Sequence, residues 1–291
     1  MKQRTIKKPV EVIGIGLHKG VPVTLRLEPL EEDMGIVFYR KDKAVSIPMT
    51  PAYVVDTQMA TVLGRQGAVV STIEHLVSAI SAFGIDNLRI VLDNDEIPIM
   101  DGSSISFCLL IKEAGIAIQT KNKRFLKITK EVEVKNGDKF AKVLPSDNTI
   151  FSFKIDFDHP AIKKQIYNFE FSTKNYMQEI AKARTFGFLK EIQYLRSKGL
   201  ALGGSLENAI VLDDKKVLNE NLRYNDEFVR HKILDAIGDM RLLGFNMIGR
   251  YEAFASGHHL NHLLTKEILA NNAYEIVSED EVKEIGFAFA Y

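Results

Sequence analysis

The feature that most constrains the fold is a succession of elements that occurs twice. Residues 9–28, PVEVIGIGLHKGVPVTLRLE, predict two strands joined by a turn at HKG, with clear alternation in VTLRLE. Short β-like runs follow in GIVFYR, AVSIPM, MATVLG and AVVS. STIEHLVSAISAFG (71–84) then reads as a helix with apolar positions at Ile73, Leu76, Val77, Ile80 and Phe83. Ser71 and Glu74 fit a capping box, and Gly84 stops the helix. A strand at 87–92 and a second helix from Ile105 to Glu113 complete the half. The second half repeats the order, with strands in 125–157, a helix at 226–243, a strand at 247–255 and a closing helix from Gly257 to about Ala270. No residue-level repeat accompanies it. The expected fold is α+β, two similar domains at 1–120 and 125–291 that meet at a shared face. Their boundary is expected in AIQTKNKR (117–124), which is polar and unpatterned. One insertion, FGFLKEIQYLRSKGLALGGSLENAIVL (186–212), carries a short helix with Phe188, Ile192 and Leu195 on one side, then a Gly-rich turn and a strand. On its residues alone it is either an ordinary packed connection or an apolar wall for a long ligand.

Composition narrows the class. The 291 residues are 46% hydrophobic, enough for a sizeable core, and the net charge is zero. Neutrality speaks against broad attraction to nucleic acid or to an acidic membrane. The lone Cys108 excludes an internal disulfide framework and any thiolate metal cluster within one chain. The basic start MKQRTIKKPVEVIGIG lacks an apolar signal core, and no run approaches about 18 apolar residues. The expectation is a soluble, cytoplasmic protein without stable membrane insertion.

Chemistry concentrates in VRHKILDAIGDMRLLGF (229–245), where His231, Asp235 and Asp239 stand at four-residue steps in an otherwise apolar helix. Residues at i and i+4 lie above one another, so His231 and Asp235 can grip one ion. A solvated face, or a buried His paired with a carboxylate, accounts for the same pattern. In the first half, His75 follows Glu74. Adjacent helical residues point about 100° apart, so Glu74 is poorly placed to ligate beside His75 but can reach a water on the same ion. The competing reading is that Glu74 only closes its capping box. His75, His231 and Asp235 would form a set of two histidines and one carboxylate that leaves a tetrahedral position open. Such a set suits zinc and also iron(II). His258 and His262 form a rival pair at the same spacing, but no carboxylate lies between them. His258 is better read as a proton donor or a cation, and His259 and His262 as surface or packing residues. GIGLHKG and LGGS have neither dinucleotide nor phosphate-loop spacing.

GIGLHKG, STIEHLVSAI, EIPIMDGSS, ARTFGFLKEIQYLRSKGLALGGSLENAIVL, LRYNDEFVRHKILDAIGD and SGHHLNHLL, taken in order, resemble the zinc-dependent UDP-3-O-acyl-N-acetylglucosamine deacetylases of lipid A biosynthesis. The resemblance spans essentially the full length. It implies two βα sandwiches whose helical layers face each other across the active site. It implies zinc held by His75, His231 and Asp235, with Glu74 as general base toward the water at the zinc. It gives His258 the roles of oxyanion stabiliser and proton donor to the leaving amine, with Asp239 holding its imidazole. Thr185 matches a threonine that helps bind the oxyanion, and Lys232 a lysine near the substrate diphosphate. Phe186 matches a position near the acyl passage, and the run at 157–160 that begins with Phe157 one near the uridine pocket. His18 matches a family histidine for which a structural role is expected. The implied reaction is hydrolysis of UDP-3-O-(3-hydroxyacyl)-N-acetylglucosamine to release acetate, with 186–212 lining a tunnel for the acyl chain and a monomer as the working unit. The rivals are a related deacetylase of another N-acetylated sugar and a non-catalytic nucleotide-sugar or lipid-binding protein.

Overall fold

The computed structural model describes residues 1–278, so the final stretch of the expected second domain, 279–291, lies outside the described residues. Two five-stranded sheets share one plan. In the first, the hairpins Val10–Ile15/Pro22–Pro29 and Ile36–Arg40/Val45–Pro48 flank the strand Leu88–Leu92. That central strand runs antiparallel to Pro22–Pro29 and parallel to Ile36–Arg40. In the second, Val132–Asn136/Lys139–Leu144 and Ile150–Phe157/Lys163–Glu170 flank Arg250–Phe254 in the same way. The helices keep the duplicated order. α1 (Glu74–Ala82) precedes the first central strand and α2 (Ile105–Ala114) follows it. After the single turn α3 (Thr173–Asn175) and the insertion helix α4 (Leu189–Ser197), α5 (Glu227–Met240) precedes the second central strand and α6 (His258–Ala270) follows.

α1 packs directly on α5, so the two helical layers face each other. This burial reshapes the helices. The apolar spacing of α1 predicts one buried stripe, yet every residue from Glu74 to Ala82 is buried, because a sheet covers one side and α5 the other. Small and hydroxyl side chains make that possible: Ser78 Oγ accepts from Tyr176 Oη at 2.7 Å, and Ser81 Oγ accepts from Asn246 Nδ2 at 3.2 Å. On α5, Gly238 meets the start of α1 so closely that a Cβ there would lie 2.2 Å from the Glu74 carbonyl oxygen.

Three local expectations are corrected. The capping box does not form: Ser71 Oγ bonds Thr72 Oγ1 at 3.1 Å, and Glu74 Oε2 instead accepts from the Thr61 amide at 3.2 Å. The unpatterned stretch 117–124 is mostly strand, Ile116–Asn122, paired antiparallel with Lys2–Ile6, and Arg124 opens the next strand, Arg124–Ile128. Its polar face is solvated and its partner lies more than a hundred residues away, so local alternation does not announce it. Phe188 ends the short strand Phe186–Phe188, which pairs parallel with Ile210–Leu212, rather than joining the α4 face.

Candidate metal centre and active site

α5 presents His231 and Asp235 one turn apart, and α1 brings His75 to them from the other half. Asp235 Oδ1 lies 3.4 Å from His231 Nε2 and 3.5 Å from His75 Nε2. The two imidazoles meet edge to face at 4.9 Å. All three side chains are buried, and their ligand atoms lie within 4.8 Å of one another. Among the described residues, no other group of three such side chains was found. The rival pair His258 and His262 is not part of any such group.

Protonation in this cluster follows from its partners. His231 Nδ1 faces the Ala183 carbonyl at 3.0 Å, so that nitrogen carries the proton and Nε2 keeps its lone pair toward Asp235. Burial drives the His231 pKa down to about 4, against the pull of Asp235, which keeps the ring neutral as a ligand must be. Burial alone would raise Asp235, but His231 and Lys232 hold it well below the ordinary carboxylate range. Asp235 Oδ1 has no hydrogen-bond partner although it is buried. A buried ionised oxygen with no hydrogen-bond partner, facing the lone pair of the neutral His231 ring, is costly unless a cation joins them, so the donor set fits a metal ion.

Beside it runs a second buried chain. His258 Nε2 is 3.5 Å from Glu74 Oε1, and His258 Nδ1 donates to Asp239 Oδ2 at 2.8 Å. Burial would lower the His258 pKa, but Asp239 and then Glu74 more than reverse this and push it up to about 10. Burial raises the Glu74 pKa, with His258 and His75 opposing. The arrangement therefore joins a carboxylate that readily takes a proton to an imidazolium that can give one.

Sequence reasoning missed the supports of this chain. Asp239 Oδ1 accepts from Thr61 Oγ1 at 2.6 Å, and Oδ2 also accepts from Asn261 Nδ2 at 2.8 Å. Asn261 Oδ1 in turn accepts from Tyr251 Oη at 2.6 Å and Ser256 Oγ at 3.0 Å. Asn261 lies three residues beyond His258 on α6, a spacing that places both on one face and was available in the sequence. Thr61 and Tyr251 carry no local signal.

Thr185, Phe186, His231, Lys232, Asp235 and His258 all line one polar cavity of about 420 Å³. Thr185 is anchored through its backbone: its amide donates to the Gly102 carbonyl at 2.8 Å, and its carbonyl accepts from the Ile210 amide at 2.8 Å. Gly102 has φ +81°, and a Cβ there would strike the Asn208 carbonyl at 2.0 Å, so only glycine serves. The neighbouring Arg184 is fixed by a buried ion pair, Nε to Glu227 Oε1 at 2.9 Å, which ties this segment to the start of α5. Lys232 Nζ is 3.4 Å from Asp235 Oδ2. A second cavity of about 410 Å³ shares Met59, Thr185 and Phe186 with the first and is walled by Leu17, Ile192 and Leu195. The 186–212 insertion is thus the wall of an apolar cavity that opens beside the buried cluster.

The remaining candidates lie further out. Phe157 lines neither cavity; its ring packs on Phe186 at 6.0 Å and Phe188 at 5.9 Å, one layer behind the wall. His159 Nε2 donates to the Asp213 carbonyl at 2.7 Å. His18 lines the apolar cavity with both ring nitrogens buried and unpartnered. His259 lines the polar cavity, its Nδ1 3.3 Å from Thr57 Oγ1. Among the described residues no helix is long and apolar enough to cross a membrane.

Known proteins are similar to this chain along its whole length. A protein from Nautilia profundicola named UDP-3-O-acyl-N-acetylglucosamine deacetylase is 72% identical over 291 residues, all of both chains. Proteins of the same name from Wolinella succinogenes and Nitratiruptor sp. are 64% and 62% identical, each covering at least 97% of either chain. The model of the UDP-3-O-acyl N-acetylglycosamine deacetylase family matches residues 3–270, which takes in the His75–His231–Asp235 cluster, Glu74 and His258. On that match and those identities, the chain belongs to the UDP-3-O-acyl N-acetylglycosamine deacetylase family.

Proposed function

We propose that the chain hydrolyses the acetamide of UDP-3-O-acyl-N-acetylglucosamine, the committed step of lipid A biosynthesis, with a zinc ion held by His75, His231 and Asp235. The observation that carries the mechanism is the chain Glu74–His258–Asp239 set against a three-donor group whose buried carboxylate oxygen has no other partner. Three protein ligands leave one tetrahedral position free, the pattern of catalytic rather than structural sites. Iron(II) suits the same ligands and is the alternative. When bound, the ion supplies Lewis-acid polarisation of the acetamide carbonyl and acidifies water.

The side chains then account for the proton movements. Glu74 takes the proton from the water that adds to the carbonyl carbon, and its raised pKa suits that task. The Thr185 hydroxyl and the His258 imidazolium bear on the oxyanion. As the carbon–nitrogen bond breaks, His258 or protonated Glu74 gives a proton to the nitrogen, leaving the free amine and acetate. Asp239 keeps His258 protonated and oriented. Lys232 attracts the diphosphate, Phe186 walls the acyl cavity, and Phe157 backs that wall on the side of the nucleotide. The enzyme acts as a cytoplasmic monomer of two domains, 1–120 and 125–291.

The test is acetate release from a UDP-3-O-acyl-N-acetylglucosamine by purified protein, with metal measured on the same sample. Chelator-sensitive turnover with about one zinc per chain is expected. Stoichiometric metal without acetate release, or release that ignores chelation and zinc restoration, would overturn the reading.

A further inference from the structure

The insertion helix α4 is anomalous: none of its nine residues is buried. Its inner side, through Leu189, Ile192 and Leu195, faces the apolar cavity rather than a packed core. Its outer side carries Lys190 and Tyr194, and Lys198, just past its last residue, follows at the same four-residue step. Tyr194 is 64% exposed, and Lys198 Nζ stands 5.7 Å from its ring centre. Lys190 has one partner among the described residues, the exposed Asp214 at 2.7 Å.

The loop that follows continues this face. Leu202 and Leu206 are 52% and 50% exposed. Arg196 Nη2 donates to the Gly204 carbonyl at 2.8 Å, which ties α4 to the loop. The Leu202 amide donates to the His18 carbonyl at 3.0 Å, which ties the loop to the first hairpin turn. There Val21 adds another exposed apolar side chain. The exposed leucines thus stand on segments that surround the apolar cavity, with Leu206 itself at its wall. Of the acidic groups near these segments, Glu191 lies on the cavity side, Glu207 follows the loop, and Asp214 meets the Lys–Tyr–Lys stripe only at Lys190.

We infer that α4 and the 199–206 loop form a docking surface for an anionic lipid bilayer, with the apolar cavity opening beside it. Lysines flanking an aromatic ring suit a charged interface, where the ammonium groups meet headgroups and the ring and leucines enter the acyl boundary. The contact is peripheral and reversible. The purpose of the surface, delivery or release of an acylated molecule, rests on the acyl-chain reading of the cavity, but flotation reads the surface itself, independently of turnover.

The experiment is flotation of the full-length, metal-loaded protein with vesicles of phosphatidylcholine and phosphatidylglycerol in roughly equal parts. Co-flotation is expected at low ionic strength, lost in molar salt and absent with phosphatidylcholine alone. Lys190→Gln with Lys198→Gln should weaken binding roughly 25-fold, about fivefold for each lysine. Tyr194→Glu should abolish it. The variants should keep the native circular dichroism spectrum and Tm, which shows that they fold. Failure of the native protein to float with anionic vesicles overturns the inference, as does equal flotation with neutral vesicles or undiminished flotation of the variants. Flotation without acetate release from any substrate would defeat the proposed function and leave the docking surface standing.

Discussion

Gly238→Ala is the sharpest probe of how the site is assembled. The added Cβ would sit 2.2 Å from the Glu74 carbonyl oxygen, 2.9 Å from its carbon and 3.0 Å from its Cα, whereas ordinary contact begins at 3.4 Å. All three are backbone atoms at the first residue of α1, so no side chain can swing aside. The helices must part by roughly 1 Å, or the start of α1 must shift by as much, to relieve overpacking of this kind. Alanine gains about 1 kcal/mol of helix propensity over glycine, while overpacking costs about 1–3 kcal/mol. The net loss of stability is therefore modest, about 2 kcal/mol at most, and appears as a fall of a few degrees in Tm. Activity should suffer more. Glu74 and His75 ride on the displaced helix while Asp235 and His231 stay on α5, and a misplacement of about 1 Å costs on the order of 10²-fold. The assay pairs thermal unfolding with kcat/KM and metal stoichiometry. A fall of about 10²-fold in kcat/KM, with a few degrees lost in Tm, is expected. A variant with native kcat/KM and full metal occupancy would refute the claim that the glycine contact sets the distance between the two halves of the site.

Other outcomes follow from the same geometry. Glu74→Gln keeps the shape but removes the proton acceptor, so turnover should fall by about 10²- to 10⁴-fold with metal content unchanged; loss of metal would mean Glu74 supports the ligands instead. Thr185→Ala should lower kcat by about 10²- to 10³-fold, and an unaltered kcat would remove Thr185 from oxyanion binding. Stripping metal with a chelator should lower Tm, because buried Asp235 Oδ1 has no hydrogen-bond partner to take the place of the ion, and Asp235→Ala should make Tm indifferent to added zinc. Asn261→Ala deletes one donor to Asp239 and leaves Tyr251 Oη without its acceptor, so stability should drop by about 1–3 kcal/mol in chemical denaturation. Native stability in that variant would show that water replaces Asn261 in the buried chain.

The i, i+4 spacing of His231, Asp235 and Asp239 was legible because a helix turns sequence distance into direction. The duplicated order of strands and helices was legible for the same reason: each hairpin and each helix is a local object. What stayed hidden depends on separate segments meeting. Lys2–Ile6 pairs with Ile116–Asn122, and Thr61 reaches Asp239 across 178 residues. Periodicity also misled where both sides of a helix are covered, as on α1, since a stripe pattern presumes one solvated face. Three of the failed local rules share a location. Glu74 looks like a capping residue, yet its carboxylate turns inward to the Thr61 amide and His258. Gly238 weakens α5 by propensity but permits the approach of α1. Thr72, a β-branched residue, holds φ +58°, with its hydroxyl donating to Glu96 Oε1 at 3.2 Å. That conformation costs on the order of 1–3 kcal/mol and must be imposed by its surroundings. Each exception sits within a few residues of Glu74 or opposite it on α5. A chain that obeyed its local preferences at these positions would fold a more regular helix start and a looser helix pair, and Glu74 would not reach His258. These three deviations from local rule therefore specify the site rather than the fold.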